Sequence, residues 1–424
     1  MTQPTPYKVR INSVSTPTPQ NGNELPKGWQ IKKLGEVCNV LDNLRKPINS
    51  TERQQRIAGK NQSVLFPYYG ATGQVGWIDD FLTDGEFILI GEDGAPFLDI
   101  YKDKAYKIKG KTWVNNHAHI LKGKTEFLLD DFALYYLNSI NYREFVNGTT
   151  RLKLTKSSLV EIPFVVPPLP EQQAIVAKIE ELLSELENGK QQLITAQQQL
   201  KVYRQSWLKW AFEGKLTNKK VKDGELPKGW KRVKVSEISN VVRGGSPRPA
   251  GDPKFYAGKI PFLKVRDITK DSGTYLTTFE YTIKEAGLHK TRQIKPNTLL
   301  LSNSGATLGV PKICMIDATM NDGIAAFLEL DQRSNLFLYY FWVSKTRELR
   351  NINMGAAQPN LNTDIIKNYE VPYCSFEEQE LIVAELESKL TVCDKIEETI
   401  SQSLQQAETL RQSILKKAFE GKLV

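Results

Sequence analysis

The chain has 424 residues, of which 40% are hydrophobic, so it is long enough for two or three domains with sizeable cores. Its four cysteines lie far apart without paired spacing, which argues against a disulfide framework or a zinc site and favours reduced thiols in a cytosol. The formal net charge of +9 favours a polyanionic partner such as nucleic acid.

The first 23 residues are rich in Pro, Thr, Ser, Gln and Asn and contain no apolar run. This composition predicts a disordered tail over residues 1–23 rather than a signal peptide. No later stretch approaches the roughly 20 apolar residues that a transmembrane helix needs. We therefore expect a soluble, cytoplasmic protein with no membrane partner.

A short motif marks the start of two similar globular regions. Residues 24–29 (ELPKGW) recur at residues 225–230, and hydrophobic residues follow both copies at similar spacing. We predict globular domains over residues 24–167 and 225–374. Residues 217–224 (TNKKVKDG) between the repeats are polar, as is typical of a linker.

Within each globular region, short apolar runs broken by Gly, Pro and Asn indicate strands that are followed by an amphipathic helix. In the first region we predict strands at 64–69, 86–90 and 118–121, and a helix at 131–142. In the second we predict strands at 260–265, 298–301, 312–316 and 325–330, and a helix at 336–350. This mixture indicates α+β domains.

A long helical stretch follows each globular region. Its hydrophobic residues recur on four- and three-residue steps, which is a coiled-coil period. Residues 171–216 match residues 378–423 at a constant separation of 207 residues. About 40 residues at 1.5 Å each predict a rod of roughly 60 Å. We predict long helices over residues 168–216 and 375–424 that pair within the chain as an antiparallel coiled coil; a solubilising stalk or an oligomerisation zipper is the alternative.

The basic charge lies outside the two long helices. Residues 171–215 hold six acidic and six basic residues, and residues 375–424 hold ten acidic and six basic residues. Since these helices contribute −4 to a total of +9, the rest of the chain carries +13. A polyanion would therefore bind the globular regions or the linkers.

Both globular regions end in loops of similar frame but different polar residues. Residues 148–154 (GTTRLKL) align by the same 207-residue separation with residues 355–361 (GAAQPNL). A duplicated scaffold with divergent loops suits the reading of two different surfaces, and polar and guanidinium side chains are what read base edges and phosphates.

Candidate DNA-binding residues share this polar or basic character and lie in the loops and strand ends. Each of them taken alone also fits an ordinary surface residue, and the tyrosines also fit core positions. In the first region they are Lys60, Tyr68, Tyr69, Thr72, Arg151, Lys153 and Lys156, and in the second Arg243, Ser246, Arg248, Lys264, Arg266, Ser302, Asn303, Ser304, Thr307, Gln358 and Asn360.

The order and duplication of several motifs resemble the specificity subunits of type I restriction-modification systems. The motifs are the two LPKGW openings, PYYGATG at 67–73, ILIGEDGA at 88–95, LLLSNSGATLG at 299–309, QPNLN at 358–362, PLPEQ at 168–172 and the paired AFEGKL helix ends. The resemblance covers residues 24–424, although VPYCSF at 371–376 departs from a PLPEQ-like run. It implies two α/β-mixed target recognition domains separated by two long conserved helices, in a pseudo-twofold internal repeat.

The resemblance also implies a function. Each target recognition domain would read one half of a bipartite, asymmetric site in double-stranded DNA, and the helices would set the spacer between the halves. Two methylation subunits would dock on the helices, and restriction subunits could join them. S-adenosylmethionine, ATP and Mg²⁺ would belong to these partner subunits, so this chain would carry no cofactor, metal or catalytic residue.

The residues themselves favour a binding protein over an enzyme. The sequence contains no GK[ST] phosphate loop, no HExxH zinc helix and no Asn-Pro-Pro-aromatic or Asp-Pro-Pro-aromatic run. His117 and His119 are most simply strand residues that face one side, and Glu92 and Asp93 are most simply turn residues. Two alternatives stay open at this point, a coiled-coil protein-assembly scaffold and a stand-alone DNA-modifying enzyme.

Overall fold

The computed structural model describes residues 25–218, 220–305, 307–352 and 361–424. The predicted tail at 1–23 and the candidate residues Gln358 and Asn360 lie outside the described residues. The chain divides into two compact units, of which unit 1 contains the residues up to Ile194 together with Ser401–Val424, and unit 2 contains Thr195–Ile400.

The first half of the chain confirms the predicted strands and the amphipathic helix. Its strands are β1 (Gln30–Lys33), β2 (Cys38–Val40), β3 (Phe66–Gly70), β4 (Gly73–Ile78), β5 (Thr83–Gly91), β6 (Ala105–Val114), β7 (Ala118–Gly123) and β8 (Pro163–Val166). Its helices are α1 (Leu34–Val37), α2 (Ser50–Ile57), α3 (Asp130–Ser139), α4 (Lys156–Val160) and α5 (Leu169–Phe212). The predicted elements correspond to β3, β5, β7 and α3.

The second half repeats this arrangement with more and shorter strands. They are β9 (Lys231–Lys234), β10 (Asn240–Arg243), β11 (Tyr256–Leu263), β12 (Tyr275–Leu276), β13 (Tyr281–Ile283), β14 (Arg292–Ile294), β15 (Thr298–Ser302), β16 (Pro311–Cys314), β17 (Ala318–Met320), β18 (Ile324–Leu328) and β19 (Glu370–Tyr373). The helices are α6 (Val235–Ile238), α7 (Val265–Thr269), α8 (Asn335–Ile352), α9 (Thr363–Lys367) and α10 (Phe376–Phe419). The predicted strands and helix here are confirmed by β11, β15, β16, β18 and α8. In the part of the chain that the structure describes, no helix is long and apolar enough to cross a membrane.

Unit 1 is built on a six-stranded mixed sheet in the order β2-β7-β5-β6-β3-β4. Strand β5 runs antiparallel to β6 and β7, while β3 runs parallel to β6. Ile88 and Ile90 pack in one core cluster with Phe132 of α3, whereas Leu89 packs in another cluster with Ile120. Because both faces of the second half of β5 are buried, residues 87–90 (FILI) form a continuous apolar run rather than an alternating one.

Unit 2 contains a five-stranded sheet in the order β10-β18-β15-β16-β12 and a four-stranded sheet in the order β13-β11-β17-β14. The antiparallel set β10-β18-β15 repeats the set β2-β7-β5 of unit 1. Phe337 and Trp342 of α8 are fully buried in the main core cluster, together with Phe212 of α5 and Ile382 of α10. The long helices therefore contribute to the core of this unit.

The repeated LPKGW and AFEGKL motifs pack against each other, which explains why they recur together. In unit 1 a Cβ atom on Gly421 would overlap the ring of Pro26, and in unit 2 a Cβ atom on Gly214 would overlap the ring of Pro227. Both glycines also have a positive φ, +67° and +74° respectively, which other residues rarely adopt. Each motif pair therefore needs glycine for two independent reasons.

Helices α5 and α10 both have 44 residues, as the equal repeats predict. In unit 1, Lys190 Nζ of α5 lies 2.7 Å from Glu408 Oε1 of α10. In unit 2, Arg204 Nη2 lies 2.5 Å from Asp394 Oδ1 and 2.9 Å from Glu397 Oε2. Within each unit the two helices therefore contact each other, while a coiled-coil packing along their length stays a prediction.

Candidate nucleic-acid interface

Several loops of unit 1 meet at one edge of the six-stranded sheet. Strand β5 ends at Gly91 opposite Ala118, where β7 begins. The turn after β3 reaches the same place, because a Cβ atom on Gly91 would lie 3.1 Å from the Ala71 carbonyl oxygen. The Leu154 N–H donates to the Glu92 carbonyl at 2.7 Å and so ties the closing loop to this edge. We call residues 42–45, 71–72, 92–95, 115–117 and 147–154 the unit 1 loop edge.

Glu92 and Asp93 occupy the centre of this edge, and both are paired with basic side chains. Glu92 Oε2 accepts from Arg45 Nη1 at 2.5 Å, and Lys153 Nζ lies 3.0 Å from Glu92 Oε1. Asp93 Oδ1 contacts Arg151 Nη2 at 2.8 Å. Burial acts to raise the pKa of Glu92, but the hydrogen bonds from Lys153 and Arg45 outweigh it and hold this pKa below its ordinary value. The two residues therefore do more than form a turn.

Two histidines near the start of β7 contact carboxylates of the same loop edge. His117 Nδ1 lies 2.7 Å from Asp93 Oδ1. His119 is fully buried, with Nδ1 2.8 Å from Asp42 Oδ2 and Nε2 2.9 Å from the Leu154 carbonyl oxygen. Burial acts to raise the pKa of Asp42, but the hydrogen bond and the charge of His119 outweigh it and lower this pKa. Only His119 lies within β7, since His117 directly precedes the strand.

The structure brings three of the predicted unit 1 residues together at this edge. Thr72 is exposed in the turn between β3 and β4, and Arg151 and Lys153 project from the closing loop. Tyr69 is partly buried, with its ring centre 5.9 Å from that of Tyr106. Tyr68 is a core residue that is 3% exposed. Its hydroxyl donates to a backbone carbonyl, and it is therefore not free to contact a base.

The other two predicted residues of unit 1 lie elsewhere. Lys60 follows α2 and pairs with Asp79 at 2.7 Å, and Lys156 is the first residue of α4. Two arginines of α2, which line the same region as Lys60, are not among the residues predicted from the sequence. Arg53 stacks over the Tyr68 ring, with its guanidinium carbon 4.7 Å from the ring centre. Arg56 pairs with Asp79 at 2.6 Å. A pair of arginines three residues apart on a polar helix is the sequence pattern that would have indicated this basic region.

Unit 2 forms a loop edge at the equivalent end of its sheets. Strand β15 ends at Ser302 opposite Ile324, where β18 begins. Strand β10 ends at Arg243, opposite the next residue of β18. A Cβ atom on Gly323 would lie 2.5 Å from Val265 Cγ2 and 2.8 Å from Ser304 Oγ, so the loops after β11 and β15 also meet here. We call residues 243–248, 264–266, 303–305, 307, 321–323 and 361 the unit 2 loop edge.

Asp322 organises three of the predicted residues in this edge. Its Oδ1 accepts from Ser246 Oγ at 2.6 Å, and its Oδ2 lies 3.8 Å from Arg248 Nη2. Its backbone carbonyl accepts from Arg243 Nε at 2.6 Å. One carboxylate residue therefore holds two arginines and a serine at the rim of the sheet.

The remaining predicted residues of unit 2 divide into two groups. Ser302 and Asn303 are fully buried, and the Ser302 hydroxyl donates to the Thr307 carbonyl at 2.7 Å, so it closes the turn that carries Ser304. Lys264 and Arg266 follow β11. Lys264 Nζ lies 3.3 Å from the centre of the Tyr281 ring, and Arg266 is exposed, with its Nε 3.8 Å from a Glu280 carboxylate oxygen.

The two loop edges share a backbone frame and differ in their side chains. Leu154 N–H donates to Glu92 O at 2.7 Å in unit 1, and Leu361 N–H donates to Asn303 O at 2.7 Å in unit 2. The glycine two residues after each acceptor has a positive φ, +72° at Gly94 and +80° at Gly305. Residues 91–94 (GEDG) therefore correspond to residues 302–305 (SNSG), so an acidic pair occupies the position of a neutral one.

Comparison with known proteins agrees with this duplication. Residues 26–196 and 227–406 both match the family described as "Type I restriction modification DNA specificity domain". The chain is 29% identical over 399 residues to a Haemophilus influenzae (strain KW20 / Rd) protein assigned as a type I restriction enzyme specificity subunit. This match covers 89% of the chain and 91% of that protein.

Two solved structures share the fold. One comes from a study of complex assembly and conformational transition of the type I R-M system. It has a TM-score of 0.68 and 20% identity, and the match covers 94% of this chain and 99% of that one. The other is the HsdS subunit from Thermoanaerobacter tengcongensis, with a TM-score of 0.58 and 19% identity, covering 96% of this chain and 100% of that one.

Proposed function

Because this chain belongs to the type I restriction modification DNA specificity domain family, we propose that it is the DNA-recognition specificity subunit of a type I restriction-modification system. The observation that carries this proposal is the duplicated loop edge. One backbone frame presents Glu92 and Asp93 with their basic partners in unit 1, and Ser304 beside the buried Asn303 in unit 2. Such a pair of surfaces suits the reading of two different DNA sequences.

Each loop edge reads one half of a bipartite, asymmetric site in double-stranded DNA. The target recognition domains are residues 24–167 and 225–374. Exposed cations are available at both edges, with Arg151 and Lys153 in unit 1, and Arg248 and Arg266 in unit 2. Arginine suits bidentate contacts to guanine, and lysine supplies phosphate contacts that weaken as salt rises.

Helices α5 and α10 set the number of base pairs between the half-sites. Their equal length and their ion pairs within each unit support this role. A helix lengthens by 1.5 Å per residue, so the number of residues in the pair would fix the spacing of the half-sites.

The same helices dock the methylation subunits, two of which would use the two halves of the repeat. On α5 in unit 2, Tyr203 is 51% exposed and Trp210 is 41% exposed, and on α10 in unit 1, Leu410 is 50% exposed. Large exposed apolar side chains are typical of protein interfaces. Methylation with S-adenosylmethionine belongs to these partners, and ATP- and Mg²⁺-dependent steps belong to restriction subunits that join them. The chain itself is non-catalytic and acts with its DNA in the cytoplasm.

Exchange of one loop segment tests whether each loop edge reads its own half-site. Residues 244–266 are replaced by the corresponding segment of a relative, and the exchanged chain is assembled with its methylation subunits. The methylated sequence is then read from genomic DNA. We expect one half-site to change and the other half-site to persist. If both half-sites disappear from a folded complex, the segment is structural and this assignment is wrong.

A further inference from the structure

Arg151 is held in one direction by a carboxylate that is itself held. Its Nη2 donates to Asp93 Oδ1 at 2.8 Å, and His117 Nδ1 lies 2.7 Å from the same oxygen. The guanidinium lies against the Gly94 backbone, because a Cβ atom on Gly94 would lie 3.5 Å from Arg151 Nε. The arginine is nonetheless 62% exposed, so it is restrained without being buried.

The backbone that carries Arg151 is equally restrained. Asn147 and Lys153 exchange two backbone hydrogen bonds, of 3.0 Å and 2.8 Å, which close the turn of residues 147–153 that contains Arg151. Within the turn, Gly148 has a φ of +106°, and a Cβ atom there would lie 2.5 Å from the Arg151 carbonyl oxygen. The Gly94 N–H donates to the Leu152 carbonyl at 3.3 Å and fixes the turn to the loop after β5.

This arrangement leaves the recognition face of the guanidinium available. Asp93 occupies one of the five N–H donors of Arg151. The remaining donors include a parallel pair, which is the geometry that contacts O6 and N7 of guanine in the major groove. A fixed side chain also loses less conformational entropy on binding than a mobile one.

The neighbouring cations do not offer the same chemistry. Arg45 is 17% exposed and is used by Asp42 and Glu92 within the edge. Lys153 is exposed, but an ammonium is a point charge without a planar fork. Among the cations of the unit 1 loop edge, Arg151 therefore combines exposure, a planar fork and a fixed direction.

We infer that Arg151 reads a guanine in the half-site of unit 1, and that Asp93 and His117 are positioning residues that aim its guanidinium. This inference rests on the proposed function and assigns a base to one of its two reading surfaces. The unit 2 residues that correspond to Asp93 and His117 are Ser304 and Gly323. Among the described residues, the contacts of Asp93 with Arg151 and His117 are therefore found in unit 1 alone.

The test is carried out with the full chain assembled with its methylation subunits in cells, and methylated positions are mapped across the genome. In Arg151→Ala, discrimination at one G·C pair of one half-site is expected to fall by about 5- to 150-fold, the range for a bidentate contact. Arg151→Lys is expected to relax the same position although it keeps the charge. Asp93→Ala is expected to relax that position as well, and combining it with Arg151→Ala should add nothing further.

Glu86→Gln and Lys109→Ala are the matched controls. They remove an ion pair of 2.8 Å from the β5–β6 part of unit 1 and should leave the methylated sequence unchanged. Thermal unfolding establishes whether each variant is folded. If Arg151→Ala does not fold, the test rests on Arg151→Lys.

Three results would overturn the inference. Equal loss of methylation at every site with an unchanged sequence would make Arg151 a phosphate contact. Relaxation at an A·T pair would refute the guanine assignment, and further relaxation in the double variant would refute the positioning role. Failure of the proposed function is a different observation, because the unmodified chain would then support no split methylated sequence.

Discussion

Shortening both long helices by four residues tests whether they set the DNA spacer. The ion pairs Lys190–Glu408 and Arg204–Asp394 share one register, because their residue numbers add to the same total, 598. Deleting residues 195–198 from α5 and 400–403 from α10 keeps this register and removes none of the four ion-pair residues. The helices otherwise keep their full sequence on both sides of the deletion.

The expected shift follows from helix geometry. Four residues shorten an α-helix by about 6 Å and turn it by one full turn plus about 40°. One base pair of DNA spans about 3.4 Å and turns about 35°, and two base pairs span about 6.8 Å and turn about 70°. One base pair matches the angle and two match the length, so the new spacer should be one or two base pairs shorter.

Deletion of seven residues gives a contrasting expectation. It shortens each helix by about 10.5 Å, close to three base pairs, but changes its rotation by only about 20°. Three base pairs turn the half-sites by about 105°, so no spacer satisfies both length and rotation. We expect the four-residue variant to methylate a shifted site and the seven-residue variant to methylate none.

The assay presents each complex with DNA in which the two half-sites flank spacers of every length from zero to twelve base pairs. Methylated molecules are then sequenced. Deletion from α5 alone is the control, because it displaces Arg204 from Asp394 and should abolish methylation. A folded four-residue variant that keeps the original spacer would refute the ruler. A seven-residue variant that methylates at a spacer three base pairs shorter would refute only the rotational constraint, because helix length would still set the spacer.

Three further predictions concern stability and assembly. Burial lowers the pKa of Lys104 to about 8, so folding disfavours its protonated form and the stability of unit 1 should rise as pH increases from about 8 to about 10. Lys104→Met should stabilise unit 1 by on the order of 2 kcal/mol at pH 7 and remove that rise, as measured by chemical denaturation. Gly421→Ala should lower the free energy of unfolding by about 1–3 kcal/mol, because the added methyl group would overlap Pro26. Gly189→Ala, in open space on α5, should raise the free energy of unfolding by up to about 1 kcal/mol. Trp210→Asp should weaken binding of a methylation subunit in pull-down titrations, and thermal unfolding checks that the variant is folded. Unchanged affinity of the folded variant would contradict docking at this face.

The long elements were predictable because their signal is local and repeated. Hydrophobic residues that recur on four- and three-residue steps specify the 44-residue helices α5 and α10, and the buried apolar run of β5 specifies a central strand. Strands β12, β13 and β14 have two or three residues each, and their stability comes from partners far away in sequence. Such short strands leave no periodic pattern to detect.

The chemistry of the loop edges was only partly predictable for a related reason. The Asp42–His119 contact joins residues 77 positions apart, and it exists because β2 pairs with β7. The polar run at 302–304 looked suitable for contacting DNA, but Ser302 and Asn303 are buried, since the Ser302 hydroxyl closes its own turn. Composition identified the loops, while side-chain direction depended on the fold.

Mapping adenine methylation in cells that contain the methylation subunits, with and without this chain, decides whether the chain confers DNA specificity. We expect one methylated sequence that depends on the chain and consists of two defined halves around a gap of fixed length. If an active methylation system shows the same methylated sequences in both strains, the chain does not confer DNA specificity, and an assembly scaffold becomes the better description.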